Sequence, residues 1–188
     1  RKSHDMKILS KRPLARGSWL ALDALRWIGP KGDERTWEVC SRINSKGAVM
    51  MVPILRPENK LILIRQFRPP TGGWVYEFPA GLVNPGETPE ETAVRELREE
   101  TGYVGEIESV SPPVYTSPGL SSEYIHIVKM RVDSAKQREL RTEFDDSEQI
   151  ETFLVAPDEL ADFLARANAA GDRADAKILM WLLASAEK

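Results

Sequence analysis

Six glutamates crowd the second half of one short stretch. From Glu77 to Tyr103 the chain reads EFPAGLVNPGETPEETAVRELREETGY, and the six are Glu87, Glu90, Glu91, Glu96, Glu99 and Glu100. On a helix of 3.6 residues per turn, Glu96 and Glu100 are i,i+4 neighbours and Glu99 is i+3 from Glu96. All three share an arc of roughly 100°, with Arg95 and Arg98 off to one side. Like charges stacked this way cost about 0.2–0.5 kcal/mol per pair even when exposed. A hard divalent cation reverses the sign of that term. Mg2+ takes oxygen ligands, keeps some waters and shares its shell with substrate phosphates. The competing account is a solvated helix laced by the i,i+4 pairs Glu91–Arg95 and Arg95–Glu99, the commoner use of such a sequence. Upstream, PAGLVNPGE places a strand end and glycine turns ahead of the helix. That geometry lets a backbone carbonyl near Ala80 face the carboxylates, and lets Glu77, at the end of a short strand, join them.

The elements that must position these groups are legible in part. Thr88, Pro89 and Glu91 read as N-cap, first helical residue and capping-box partner, and Gly102 as the stop. The helix therefore runs from about Pro89 to Thr101, with Ala93, Val94, Leu97 and Thr101 as its core face. Strands are expected at Ser18–Trp27 and Arg35–Arg42, joined as an N-terminal hairpin, then at Ala48–Leu55, Leu61–Phe67, Trp74–Phe78, Glu123–Val132 and Ile150–Val155. RPENK is a turn, and RPPTGG ends its strand because proline lacks a donor. Late helices are expected from about Pro157 to Ala169 and Ala174 to Ala184. Strands and helices do not alternate regularly, which favours an α/β domain built on a mixed sheet.

Composition narrows the function classes. A chain of 188 residues suits one domain, with a small N-terminal annex. The net charge of −3 argues against a nucleic-acid backbone as the main partner, although a metal can still make a local site attractive to anions. Cys40 is the single cysteine, so no intrachain disulfide exists, and a reducing, cytoplasmic location is expected. No apolar run approaches the ~18 residues of a membrane span, so no membrane partner is expected. Arg1–Asp5 read as an appended remnant ahead of a native start at Met6.

Gly81, five residues, Glu87, seven residues, then Arg95-Glu96-Leu97-Arg98-Glu99-Glu100-Thr101-Gly102-Tyr103 resembles the signature of the Nudix hydrolases. Every fixed position matches. The one departure is Tyr103, bulky where an aliphatic residue is usual. RQFRPPTGGWVYEFPAGL and SPGLSSEYIHIV extend the likeness to the branch acting on ADP-ribose and nucleoside-diphosphate sugars, with Pro118 in the place of that branch's characteristic proline. The likeness runs from Trp19 to the C-terminal helix and weakens over Val132–Glu143.

The resemblance implies a Nudix α/β/α sandwich with a mixed sheet (residues 46–188), preceded by a small β-rich segment (residues 6–45) used for dimerisation and substrate binding. It implies a homodimer sharing N-terminal segments; no nucleic-acid partner is expected, because this mildly acidic chain lacks a basic stripe. The expected reaction is Mg2+-dependent hydrolysis of the pyrophosphate bond of a nucleotide sugar such as ADP-ribose, with Mn2+ as a substitute. Alternatives are a nucleoside triphosphate or oxidised-nucleotide hydrolase, and an inactive nucleotide-sugar sensor. By position, Glu96, Glu99 and Glu100 resemble the metal ligands, joined by the Ala80 carbonyl and Glu77. Arg95 would orient the glutamates, pairing with Glu87 or a neighbour. Glu148, in the acidic loop DDSEQIE, matches a loop glutamate acting as base in relatives, with Glu151 as runner-up. Trp19 and Trp37 occupy places where relatives sandwich the base; the alternative is core or interface packing. Arg42 and Arg68 suit forked phosphate contacts, and Leu120 would line the sugar pocket. His126 and Cys40 are expected to be structural.

Overall fold

The computed structural model describes residues 5–43, 47–144 and 149–185. Strands β1 (Ile8–Arg16), β2 (Leu20–Ile28) and β3 (Glu34–Arg42) form a three-stranded antiparallel sheet in that order. The hairpin β2–β3 was expected; β1 was not. All nine of its residues are exposed and Pro13 interrupts it, so the sequence offers no apolar alternation to read.

The larger sheet contains β4 (Ala48–Arg56), β5 (Lys60–Arg68), β6 (Gly73–Glu77), β7 (Ala80–Leu82), β8 (Glu106–Val110), β9 (Val114–Tyr115), β10 (Tyr124–Asp133), β11 (Ile150–Val155) and β12 (Arg173–Ala174). Its main path is β12-β6-β5-β4-β10-β8, while β11 pairs with β5, β7 with β4 and β9 with β10. The pairing of β4 with β10 is parallel and that of β4 with β5 antiparallel, so the sheet is mixed. The helices are α1 (Pro89–Thr101), α2 (Leu160–Ala169) and α3 (Ala176–Ser185).

Period-two alternation explains the layers. On β4, Val49 and Met51 join a core with Ala93 and Leu97 of α1, whereas Met50 and Val52 join one with Leu160 of α2 and Ile178 of α3. On β5, Ile62 faces the first core and Leu61 and Leu63 the second. A strand covered on both faces must be apolar throughout, which is why AVMMVPIL and LILI read as continuous runs. The result is an α/β/α sandwich preceded by a β-sheet.

Helix α1 forms as its caps dictate. Thr88 Oγ1 accepts from Glu91 N (3.2 Å), Glu91 Oε2 accepts from Thr88 N (2.9 Å), and Gly102 is left-handed at φ 76°. Its buried face differs from expectation by a rotation. Val94 is 37% exposed, while Thr92 and Glu100 are buried with Ala93, Leu97 and Thr101. Thr92 tolerates burial because its single hydroxyl proton is shared between two acceptors in reach, Thr88 O (2.9 Å) and Glu87 Oε2 (3.0 Å). Tyr103 completes the core beside Leu97.

Leu97→Ala is expected to destabilise the fold by about 2–5 kcal/mol, since a fully buried leucine leaves a cavity. Denaturant titration checks this; a change under about 1 kcal/mol would show that the α1 layer collapses freely.

Candidate active site

Arg95 organises the glutamates of α1. Its Nε donates to Glu87 Oε1 (2.8 Å) and its Nη2 to Glu87 Oε2 (2.9 Å), a bidentate fork. Its Nη1 reaches both Glu96 Oε1 (2.8 Å) and Glu99 Oε2 (2.9 Å). Nη2 also donates to the Leu82 carbonyl (3.3 Å). Arg95 therefore lies among these carboxylates rather than to one side of their arc. The long arginine stem swings the guanidinium over neighbours that Cα angles alone place elsewhere.

The pairing sets the ionisation of Glu87. The Arg95 hydrogen bonds, aided by the Thr92 hydroxyl (3.0 Å) and Asn84 N (3.3 Å), outweigh partial burial and pull its pKa down to about 2. The Arg95 pKa is raised by its hydrogen bonds to Glu87, with Glu96 and Glu99 adding to it.

Glu100 is 4% exposed, and its Oε2 accepts from Ala80 N (3.0 Å) on β7. Gly81 follows. A Cβ there would lie 1.9 Å from the Glu96 carboxyl carbon, so a side chain at this position would displace that carboxylate; the glycine lets Glu96 lie against the β7 backbone. Glu77 ends β6. Arg68 Nη2 (2.5 Å) and Gln66 Nε2 (3.1 Å) donate to it. Glu77 pairs in register with Ile64, which shares the face of Ile62 and hence of α1.

Glu151 is placed elsewhere by the same alternation. It pairs in register with Arg65 and bonds to it (2.8 Å), on the sheet face of Leu63 and α2. Arg65 also bonds Asp172 (2.8 Å) and lies over the rings of Trp74, Tyr76 and Phe153. Glu151 is thus a structural ion-pair partner on the face away from α1. Glu148 lies outside the described residues.

The remaining candidates gather where the N-terminal sheet meets the loop before β10. Trp37 Nε1 donates to Gly119 O (3.0 Å), Cys40 N donates to Leu120 O (3.0 Å), and Arg42 Nε pairs with Glu123 (2.7 Å). Trp19 is 76% exposed and Trp37 50%, so neither is core. Trp19 neighbours Arg42 through Ile43 N donating to Trp19 O (2.9 Å). His126 is structural: Nδ1 lies 2.8 Å from Ser111 O. Three polar groups escaped the sequence reading: Thr92, Gln66 and Glu123. Thr92, one turn beyond the cap, had a spacing signal; Gln66 and Glu123 had none, because their roles come from contacts made in space.

A divalent cation can be weighed against these donors. Among the described residues no group of three or more His, Cys, Asp or Glu stands ready to hold a metal ion. Glu96, Glu99, Glu100 and Glu77 nevertheless offer only oxygen, the donor chemistry hard cations require, and of these Glu100 and Glu96 lie against the β7 backbone at Ala80 and Gly81. Because Arg95 Nη1 bridges Glu96 and Glu99, a cation taking those oxygens must share or replace that contact. The donor set fits.

Comparison with known proteins shows the family. The NUDIX domain family matches residues 45–182. An ADP-sugar pyrophosphatase of Mus musculus is 39% identical over 133 residues, covering 67% of this chain, which spans 61% of the mouse protein's length. An ADP-ribose pyrophosphatase of Saccharomyces cerevisiae is 34% identical over 191 residues, covering 94% of this chain and 82% of its own. One of Bacillus subtilis is 32% identical, covering 82% and 80%. A crystal structure of an ADP compounds hydrolase superposes with a TM-score of 0.75 at 24% identity, covering 100% of this chain and 95% of that one; at this identity the likeness is one of fold.

The depressed pKa of Glu87 gives a signed expectation. Its pairing is fully present above the ordinary carboxylate pKa of about 4.3 and is lost as pH falls toward about 2. Denaturant titrations from pH 7 to pH 2.5 should show the wild type losing more stability than Glu87→Gln; parallel profiles would refute the linkage.

Proposed function

The chain belongs to the Nudix family, and we propose that it hydrolyses the pyrophosphate bond of nucleoside-diphosphate sugars, ADP-ribose among them. Water adds across the phosphoanhydride, giving a nucleoside monophosphate and a sugar phosphate. The observation that carries this proposal is the carboxylate cluster ordered by Arg95 on α1, within a chain whose relatives are named for ADP-ribose and ADP-sugars.

A divalent cation, which members of the family use and which we take to be Mg2+ with Mn2+ as substitute, supplies charge neutralisation at the phosphates and acidifies a water. Glu96, Glu99, Glu100, Glu77 and the Ala80 carbonyl are the groups proposed to hold it. Arg95 keeps Glu96 and Glu99 aligned while its fork anchors Glu87. Glu148 takes the proton of the attacking water. Trp19 and Trp37 stack on the base, a contact that tolerates several bases. Arg42 and Arg68 meet phosphate oxygens; their present partners Glu123 and Glu77 keep both guanidinium groups oriented. Leu120, 60% exposed at the loop tip, lines the sugar pocket.

We also propose residues 6–45 as a dimerisation and substrate segment of a homodimer, ahead of a catalytic domain at 46–188. Its support is the uncovered apolar surface of the N-terminal sheet: Ile8, Leu9, Leu14, Leu20 and Leu22 are all exposed. No helix of the described residues is long and apolar enough to cross a membrane. With a single cysteine in the chain, a cytoplasmic setting is proposed.

A panel of nucleotide sugars incubated with Mg2+ should release nucleoside monophosphate, and Glu100→Gln should lower turnover by on the order of 10²-fold. No metal-dependent release from any member would sink the pyrophosphatase proposal. Equal activity in the variant would sink the ligand assignment. Glu148→Gln should cut kcat by on the order of 10²–10⁴ with substrate binding largely kept; unchanged turnover removes Glu148 as base.

A further inference from the structure

The last carbonyls of any helix lack intrahelical partners. On α1 the terminal turn carries Glu99 and Glu100, and its carbonyls are claimed in part by a distant segment. Gly102 N donates to Arg98 O (2.8 Å), and Glu143 N donates to Glu99 O (2.8 Å). The Glu143 carboxylate pairs with Arg98 Nη1 (3.0 Å). Just before it, the chain passes in contact with the helix stop: a Cβ on Gly102 would lie 2.9 Å from Arg141 N and 3.0 Å from Leu140 Cβ. Earlier still, the Gln137 amide grips the residue after the turn from both sides. Its Oε1 accepts from Val104 N (2.9 Å), while its Nε2 donates to Val104 O (3.0 Å) and Asp133 O (2.8 Å).

We propose that residues 137–143 form a strap that holds the final turn of α1, and that Gln137 and Glu143 are positioning residues for the carboxylates Glu99 and Glu100. Neither residue occupies a position of the Nudix signature, and the segment lies where the sequence likeness is weakest. A helix end that frays loses alignment of the side chains it carries. Glu99 is a single residue whose backbone oxygen is held by the strap and whose carboxylate is held by Arg95. Two attachments on opposite sides of one residue fix its direction, which neither does alone.

The inference rests on the metal-dependent hydrolase proposal for its purpose, but its test has an arm that does not. Glu143→Pro deletes the N–H that caps Glu99. Glu143→Ala keeps that N–H and deletes only the exposed ion pair with Arg98. Gln137→Glu keeps size and removes both donors aimed at Val104 and Asp133. Mn2+ affinity is measured by electron paramagnetic resonance, kcat and KM on a nucleotide sugar with Mg2+, and the thermal midpoint alongside. Glu143→Pro and Gln137→Glu should each weaken Mn2+ binding about 10-fold and lower kcat similarly, with KM within about 2-fold, while Glu143→Ala stays within about 3-fold of wild type. Wild-type Mn2+ affinity and kcat in both strap variants, or a loss confined to the thermal midpoint, would overturn the strap. Should the wild type hydrolyse no nucleotide sugar, the pyrophosphatase proposal falls by itself, and the Mn2+ titrations still decide the strap.

Discussion

One guanidinium holds the candidate site together. A cluster of carboxylates on a single helix turn repels itself, and α1 gathers Glu96, Glu99 and Glu100 within one. Arg95 offsets that repulsion with five donors in a rigid fork. Because the same fork takes Glu87 and the Leu82 carbonyl, it also ties the helix to the loop that precedes it. Other choices follow from that tie. Gly81 must lack a side chain so that Glu96 fits against β7, and Thr92 must be small and hydroxylated to support Glu87 from within the core. The capping box then spends Glu91 on the helix start, removing it from the competition for Arg95.

The sheet decides which acids can reach that cluster. Successive strand residues point to opposite faces, so a parity of one residue separates neighbours completely. Gln66 and Arg68 of β5 hold Glu77, whose register partner Ile64 faces α1. Arg65, one residue before Gln66, turns to the other face, where Asp172 first and Glu151 second raise its pKa and aromatic rings surround it. Two arginine–acid networks therefore run back to back through one strand. The first belongs to the site and the second pins β11 and the start of β12 to the sheet.

Much of this was legible in the residues themselves. The start and stop of α1 follow from Thr88, Pro89, Glu91 and Gly102, because capping is a local chemistry of a few neighbouring groups. The covered strands β4 and β5 follow from unbroken apolar runs. Strand β1 was not legible, since a fully exposed strand carries no burial pattern. On α1 the expected Ala93, Leu97 and Thr101 are buried, but Thr92 enters the core in place of Val94, because a threonine with a satisfied hydroxyl can occupy a site that polarity alone would deny it. The position of the Arg95 head group depends on the four rotatable bonds of its stem and on contacts from β7, none of which a helical wheel contains.

The parallel pairing of β4 with β10 sets Ala48 beside Ile125. Helix α1 and all of its carboxylates lie inside the chain loop that this pairing closes. Loop closure is costly in entropy before its contacts repay it, and non-local parallel pairing is intrinsically slow. The order of events in refolding is thereby constrained: α1 can nucleate early on its own caps, but the platform beneath it completes only when β4 and β10, far apart in the chain, meet. Assembly of the candidate site is therefore tied to that long-range pairing as well as to the local caps of α1.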